Sequence, residues 1–406
     1  MSARLSDQPW LTASATRAVI AALEAAGGPG CARFVGGCVR NAVIGQPVAD
    51  VDIATTLTPD VVDRAIRAAG LKSVPTGIAH GTVTAVVERT PFEITTLRRD
   101  VSTDGRNATV AFTDDWAEDA ARRDFRLNAL YADADGQVFD PTGEGLADAL
   151  AGRIAFVGDP ETRIREDFLR ILRFFRFHAW YGRVEPDGPA LAACRLLATG
   201  MTRLSAERVS SELMKLLSAP DPRAAVRAMA DAGVLAQVLP EAELTPLFDA
   251  AVEQGADATA RLMMLLPPDE AVASRATARL RFPNAARDRL VFAARAFPPV
   301  RLSMSGREAR AALYRHGPQA VSDAIRRRWA EAPDQDDAAC RLLALAEGWR
   351  RPSLPVGGRD VARLGVEPGP ETGRLLKAFE DAWIAEDFPS VGHAERLAAL
   401  VSAPRG

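Results

Sequence analysis

Asp50 and Asp52 stand two residues apart in Asp50-Val51-Asp52-Ile53, where acids alternate with β-branched apolar residues. Side chains at i and i+2 of an extended strand share a face, so this spacing predicts two carboxylates side by side, with Val51 and Ile53 turned into a core. Carboxylates held together repel each other, and a cation between them relieves that repulsion. Hard oxygen ligands with room left for phosphate oxygens suit Mg2+. Phosphoryl-transfer sites often use two such ions about 3.5–4 Å apart. Glu93, in the strand-like Phe92-Glu93-Ile94-Thr95-Thr96, reads as a third catalytic carboxylate on a neighbouring strand. Alone, a D-x-D is explained as well by strand-edge acids in solvent.

The residues ahead of the pair narrow the choice. Phe34-Val35 runs into Gly36-Gly37, and a helical turn carrying Arg40 follows. Adjacent glycines let backbone N–H groups come close to an anion, and a helix start favours phosphate. Arg40 adds a planar fork that grips it. Glycines, arginine and paired acids together describe a site for a triphosphate and a metal.

This stretch resembles the signature of the DNA polymerase β-type nucleotidyltransferase superfamily. Within it, the stretch is most similar to the class II branch, which holds the tRNA CCA-adding enzymes and bacterial poly(A) polymerases. The pattern of that branch is G-G-x-V-R-D followed by D-x-D. Here it stands as Gly36-Gly37-Cys38-Val39-Arg40-Asn41 and Asp50-Val51-Asp52, with Asn41 where the family usually has Asp. Asn keeps local hydrogen bonding, so catalysis is expected to survive the change.

Two later segments extend the resemblance. ARRDFRLNAL (121–130) is similar to the family's R-R-D-F-T-I-N-A-L, with Arg126 in place of the usual Thr. The resemblance implies that Arg123 contacts phosphate and that Asp124 and Asn128 contact the ribose. Without it, the segment reads as a helix start with exposed arginines and buried Phe125, Leu127 and Leu130. Residues 157–183 are similar to G-D-P…R-x-R-E-D-x-x-R-x-x-R-x-x-R-F. On one continuous helix at about 100° per residue, Phe168, Leu169, Ile171, Leu172 and Phe175 form a buried arc. Asp167, Arg170, Arg173 and Arg176 fall on the other arc, along with Phe174 and Phe177, which either pack against the head, the preferred reading, or stack on bases. Asp167 and Arg170, at i and i+3, pair an acceptor-only group with a multi-donor group. Such a pair fits the base edge of cytosine or adenine, and guanine and uracil present mismatched edges. In the family these two positions act as that protein template, with the later arginines near nucleotide or RNA. On an arbitrary helix the same pair is a weak surface salt bridge.

The elements that must position these groups divide the chain in two. ARFVGG, DVDIAT, GTVTAVVE, FEITTLR and VFDPTG read as strands of one sheet with helices between them. Beyond about residue 160 only helical periodicity remains, with Pro/Gly breaks near 183–190, 218–222, 265–270 and 350–358. The expected class is α+β: a polymerase β-like head with a mixed sheet (1–150), then an all-helical neck carrying the nucleotide-reading helix (151–220), a tRNA-binding body (221–345) and a tail (346–406). Arg326-Arg327-Arg328 and Arg350-Arg351 are candidate RNA contacts or merely solvated faces. His80, in a loop between strands, either approaches the nucleotide or is satisfied locally.

The net charge of −3 excludes a chain-wide basic wrapper, so any RNA contact must be a local patch. Cys31, Cys38, Cys194 and Cys340 are scattered, which fits a reduced compartment better than disulfides or a zinc site. The early residues carry Asp7 and no long apolar run, so no signal peptide is expected, and no stretch is apolar enough to span a bilayer. A cytoplasmic location is expected, with neither a membrane nor a protein partner. His80, His178, His316 and His393 form no H-D pair, which argues against an appended metal phosphohydrolase domain. The resemblance implies Mg2+-dependent addition of C, C and A from CTP and ATP to the tRNA 3′ end, with release of pyrophosphate. The alternatives are a poly(A) polymerase, an A-only tRNA nucleotidyltransferase, or an RNA-binding module that has lost catalysis.

Overall fold

Short apolar segments between glycine turns build a seven-stranded sheet from β1 (Ala32–Val35), β2 (Asp52–Thr55), β3 (Lys72–Gly77), β4 (Thr82–Val87), β5 (Thr90–Thr96), β8 (Tyr131–Ala132) and β9 (Val138–Phe139). The structure is a computed structural model that describes residues 3–78, 81–103 and 108–402, so His80 lies outside the described residues. The strand order is β3-β4-β5-β2-β1-β8-β9. β2 and β5 pair in parallel and the other neighbours are antiparallel, which makes the sheet mixed, as expected. β6 (Arg98–Thr103) and β7 (Ala108–Phe112) form a separate two-stranded sheet. The expected strand segments became β1, β2, β4, β5 and β9. β3 gave little signal because it contains Pro75, which an outer strand tolerates.

The pleat turns Phe34, Ile53 and Ile94 to one face, where α2 (Ser14–Gly27) and α4 (Pro59–Ala68) pack against the sheet through Val19, Leu23, Val62 and Ile66. Before α2 lies the single turn α1 (Pro9–Thr12), whose Trp10 meets Phe34 edge-on at 4.9 Å. Val35, Ala54 and Leu97 face the other way and cluster with Tyr131, Val157 and Trp116. Asp52 and Glu93 belong to this second face.

Helices then take over: α3 (Gly37–Val43) sits between β1 and β2, α5 (Trp116–Ala121) precedes β8, and α6 (Gly145–Ala151) follows β9. Next come α7 (Pro160–Glu166), α8 (Leu169–Tyr181), α9 (Gly188–Leu197), α10 (Ala206–Leu217), α11 (Arg223–Asp231) and α12 (Val234–Val238). α8 packs against both α10 and α11.

Residues 1–240 form one compact unit and 241–406 a second. Among its described residues the second unit is all helical, from Pro246–Glu253 to His393–Ser402. Val300, Leu313, Val321 and Ile325 centre one of its cores, and Val361, Phe379 and Trp383 another. Two of the arginines read as candidate RNA contacts or solvated faces are turned inward there. Arg327 donates to the carbonyls of Met263 and Leu266, and Arg328 donates to that of Val300 while stacking 3.7 Å over Phe297. No helix among the described residues is long and apolar enough to cross a membrane.

Candidate active site

Asp52 opens β2 and lies opposite Glu93 of β5 in the parallel register, so the two carboxylates leave the sheet from adjacent strands. Val51 and Ile53 are buried and Asp52 is half-buried, which is the predicted alternation. Asp50 lies in the coil before β2 and is exposed, so only its partner is held by the ladder. Burial first, then the charges of Glu93 and Asp50, push the Asp52 carboxyl above its ordinary value, and Arg123 pulls it back down. The three predicted carboxylates are therefore electrostatic neighbours carrying excess negative charge.

The glycine turn lies beside them. Gly36 has φ 72° and ψ −120°, a conformation closed to residues with a Cβ, and it lets β1 end and α3 begin within one residue. A Cβ at Gly36 would lie 3.7 Å from Nη1 of Arg123, which places that guanidinium over the turn. Gly37 starts α3. Arg40 is buried on α3: its Nη1 donates to Asn128 Oδ1 at 2.5 Å and its Nη2 to the Tyr181 hydroxyl at 2.7 Å, with Nε and Nη2 also reaching Asn41 Oδ1. Tyr181 also lies 4.0 Å beneath the guanidinium carbon, so Arg40 is fixed by neutral partners, and burial lowers its pKa from the ordinary value. Asn41 donates in turn to the Pro47 carbonyl at 2.8 Å, in the loop leading to Asp50. An ionised Asp at this position has no proton for that bond.

The segment 121–130 is not the helix start that its pattern suggested. Arg122–Phe125 is a strap, and only Arg126–Asn128 makes a single 3₁₀ turn. Arg123 is oriented by Asp119 Oδ2 at 2.9 Å and by the Tyr131 hydroxyl. Asp124 is spoken for within the protein: its Oδ2 accepts from Arg173, and its Oδ1 from Asn128 and the Phe125 amide. Burial works against its ionisation, yet Arg173 and these hydrogen bonds hold its carboxyl below the ordinary value.

The reading helix is also broken where it was expected to be continuous. Asp167 is extended, with φ −154° and ψ 107°, between α7 and α8, so Asp167 and Arg170 do not form an i,i+3 pair on one helix. The Asp167 Oδ1 accepts the Leu169 amide at 3.0 Å, which is the hydrogen bond of a helix cap. Its Oδ2 takes Nη2 of Arg208, on α10, at 2.6 Å. Arg170 is held instead by Glu166 and by the Arg163 carbonyl. Arg176 donates to the buried Glu212 of α10 at 2.6 Å. Phe177 is buried against Phe125 of the strap and Phe174 against Phe156.

Sequence reasoning missed Asp119, Glu166, Tyr181, Arg208 and Glu212. Two signals were available. Asp119 stands one turn before Arg123, and Arg208 and Glu212 are four apart on one face of α10.

Gly200 sets the position of Phe168. A Cβ there would lie 1.9 Å from Cε1 of the Phe168 ring, next to Asp167. Gly200→Ala is therefore expected to cost about 1–3 kcal/mol through overpacking and to disturb the Asp167–Arg208 pair. Thermal unfolding, together with competition between CTP and UTP, checks both effects.

Known proteins place this geometry in a family. Residues 32–155 match the family described as "Poly A polymerase head domain", and residues 185–244 match that described as "Probable RNA and SrmB- binding site of polymerase A". The mitochondrial CCA tRNA nucleotidyltransferase 1 of Mus musculus is 32% identical over 370 residues, covering 86% of this chain and 82% of its own. The CCA-adding enzyme of Levilactobacillus brevis is 32% identical over 389 residues, covering 92% of this chain and 94% of its own. The fold superposes on the Bacillus stearothermophilus CCA-adding enzyme, solved in complex with CTP, with a TM-score of 0.73 at 24% identity over 94% of both chains. With that identity carried along nearly its whole length, this chain belongs to the family of CCA-adding tRNA nucleotidyltransferases.

Proposed function

We propose that this enzyme adds C, C and A in turn to the 3′ end of tRNA, using CTP and ATP and releasing one pyrophosphate per addition. The observation that carries the proposal is the Asp52–Glu93 register, with Asp50 beside it and the Gly36–Arg123 turn within reach. The donor set fits Mg2+: oxygen ligands only, and a carboxyl whose neighbours leave negative charge uncompensated. Asp50 and Asp52 would hold the ion. When bound, Mg2+ supplies the Lewis acidity that makes the 3′-hydroxyl a better nucleophile and offsets charge on the departing pyrophosphate.

The chain's own residues do the remaining work. Arg123 and Arg40 offer fixed positive charge to the triphosphate, with the Gly37 backbone close beneath. The 3′-oxygen bonds to the α-phosphorus as the bond from phosphorus to the bridging oxygen breaks. Glu93 adds negative charge on the adjoining strand and so strengthens the pull on a cation. Asp167 and Arg170 select the base by presenting an acceptor and donors to its Watson–Crick edge. In this reading Asn128 faces the ribose with Asp124 behind it as its orienting partner, and Arg173 and Arg176 shape the floor below. Residues 1–150 act as head, 151–220 as neck, 221–345 as body and 346–406 as tail, and the enzyme works in the cytoplasm.

The test is incorporation of labelled CTP and ATP into tRNA stripped of its last three nucleotides, with Mg2+ and with EDTA. Addition of both nucleotides followed by arrest, abolished by EDTA, is the expected result. Long A tails or A alone would point to the sister activities, and no incorporation would leave only an RNA binder.

A further inference from the structure

Arg163, near the end of α7, is 7% exposed and faces two ways. Its Nη1 donates to Glu166 Oε2 at 2.5 Å. Its Nη2 donates to the backbone carbonyls of Arg122 and Arg123, the latter at 2.9 Å. The same Glu166 oxygen accepts Nη1 of Arg170, and that nitrogen also donates to the Arg163 carbonyl at 2.6 Å. One buried guanidinium thus joins the arginine at the start of α8 to the strap that carries Arg123 over the Gly36 turn.

We propose that Arg163 is a positioning residue that couples base selection to triphosphate placement. It acts through Glu166 on Arg170 and through the two strap carbonyls on Arg123, and the proposal rests on the roles given to Arg170 and Arg123 above. The planar fork of arginine sends donors in two directions at fixed angles, and an ammonium group cannot hold both partners in the same geometry. Burial keeps water from replacing whichever partner is lost. Small displacements of substrate-facing groups are costly, on the order of a hundredfold in rate for about 1 Å. Arg163 is bonded to both segments, so loss of its fork shifts the two groups together.

Arg163→Lys and Arg163→Met in the full chain test the idea. Discrimination is read as the ratio of kcat/KM for CTP over UTP on stripped tRNA, and for ATP over GTP on tRNA ending in CC. These ratios are independent of how much protein folds, so a merely structural defect leaves them unchanged. The expected result for Arg163→Lys is a drop of about tenfold in both ratios together with a raised KM for the correct nucleotide. Arg170→Ala is measured alongside. If Arg170→Ala loses discrimination while both Arg163 variants keep it, the coupling is wrong and the base-reading role stands. If Arg170→Ala keeps discrimination, the base-reading role is wrong and the coupling falls with it.

Discussion

Asp52→Asn is expected to slow nucleotide addition by a factor on the order of 10³ or more without unfolding the protein. Asn keeps the size of Asp52 and its place at the head of β2 and removes the charge that would hold a cation. The fold does not depend on that charge. Burial, Glu93 and Asp50 all raise the Asp52 carboxyl, so the folded chain holds this proton more tightly than the unfolded chain does. Its contribution to stability is complete below about pH 4 and is lost as pH rises through the raised folded-state value. At neutral pH the ionised group therefore costs the metal-free protein stability, and the variant should melt at the same temperature as wild type or above it. Added Mg2+ should raise the melting temperature of wild type and leave that of the variant unmoved. Single-turnover incorporation and melting curves with and without Mg2+ make the comparison. A variant that extends tRNA at the wild-type rate would remove Asp52 from the chemistry.

Asp167→Ala should act on choice rather than on speed. Asp167 supplies the acceptor side of the proposed base-reading pair, and a site that hydrogen-bonds its substrate rejects analogues far better than one that relies on shape. Loss of that acceptor should narrow the preference for CTP over UTP, and for ATP over GTP, by about a hundredfold, with a smaller loss in the rate for the correct nucleotide. Stability should change little. The Asp167–Arg208 ion pair is partly exposed, with side chains 25% and 32% accessible, and such pairs contribute about 0–1 kcal/mol. Helix capping by Asp167 adds about 1 kcal/mol. Misincorporation measured on tRNA ending in CC gives the answer, and an unaltered ATP preference would remove Asp167 from the template.

The carboxylates were legible in the sequence because strand alternation is local: the step from Asp52 to the buried Ile53 and the pairing of β2 with β5 place Asp52 beside Glu93, and Asp50 falls just outside the strand. The glycine turn was legible for the same reason, since few backbone shapes need two adjacent glycines before an arginine. The path of α7 and α8 was not. A helical wheel assumes one continuous helix, and the extended Asp167 divides it; the Asp-Phe step before Leu169 is a cap signal that the arginine pattern masked. Phe174 and Phe177 fell on the polar arc because α8 is covered on more than one side, which a wheel built for a half-exposed helix does not allow. The hidden partners Asp119, Arg208 and Glu212 lie 4, 41 and 36 residues from the charges they hold. Only the first pairing is local; the spacing of Arg208 and Glu212 marks them as one face of α10 without naming the charges across from them.

Phe125 of the strap and Phe156, which pairs with it, meet Phe177 and Phe174 of α8 at ring distances of 5.0 and 6.1 Å, and Tyr181 at the end of the same helix grips Arg40. This joint ties the sheet and α8 into a single ruler, with the acids proposed to hold the metal at one mark and the groups proposed to select the base at another. Three successive additions on such a ruler cannot be accommodated by stretching it. The growing RNA end is therefore expected to withdraw by one nucleotide after each step.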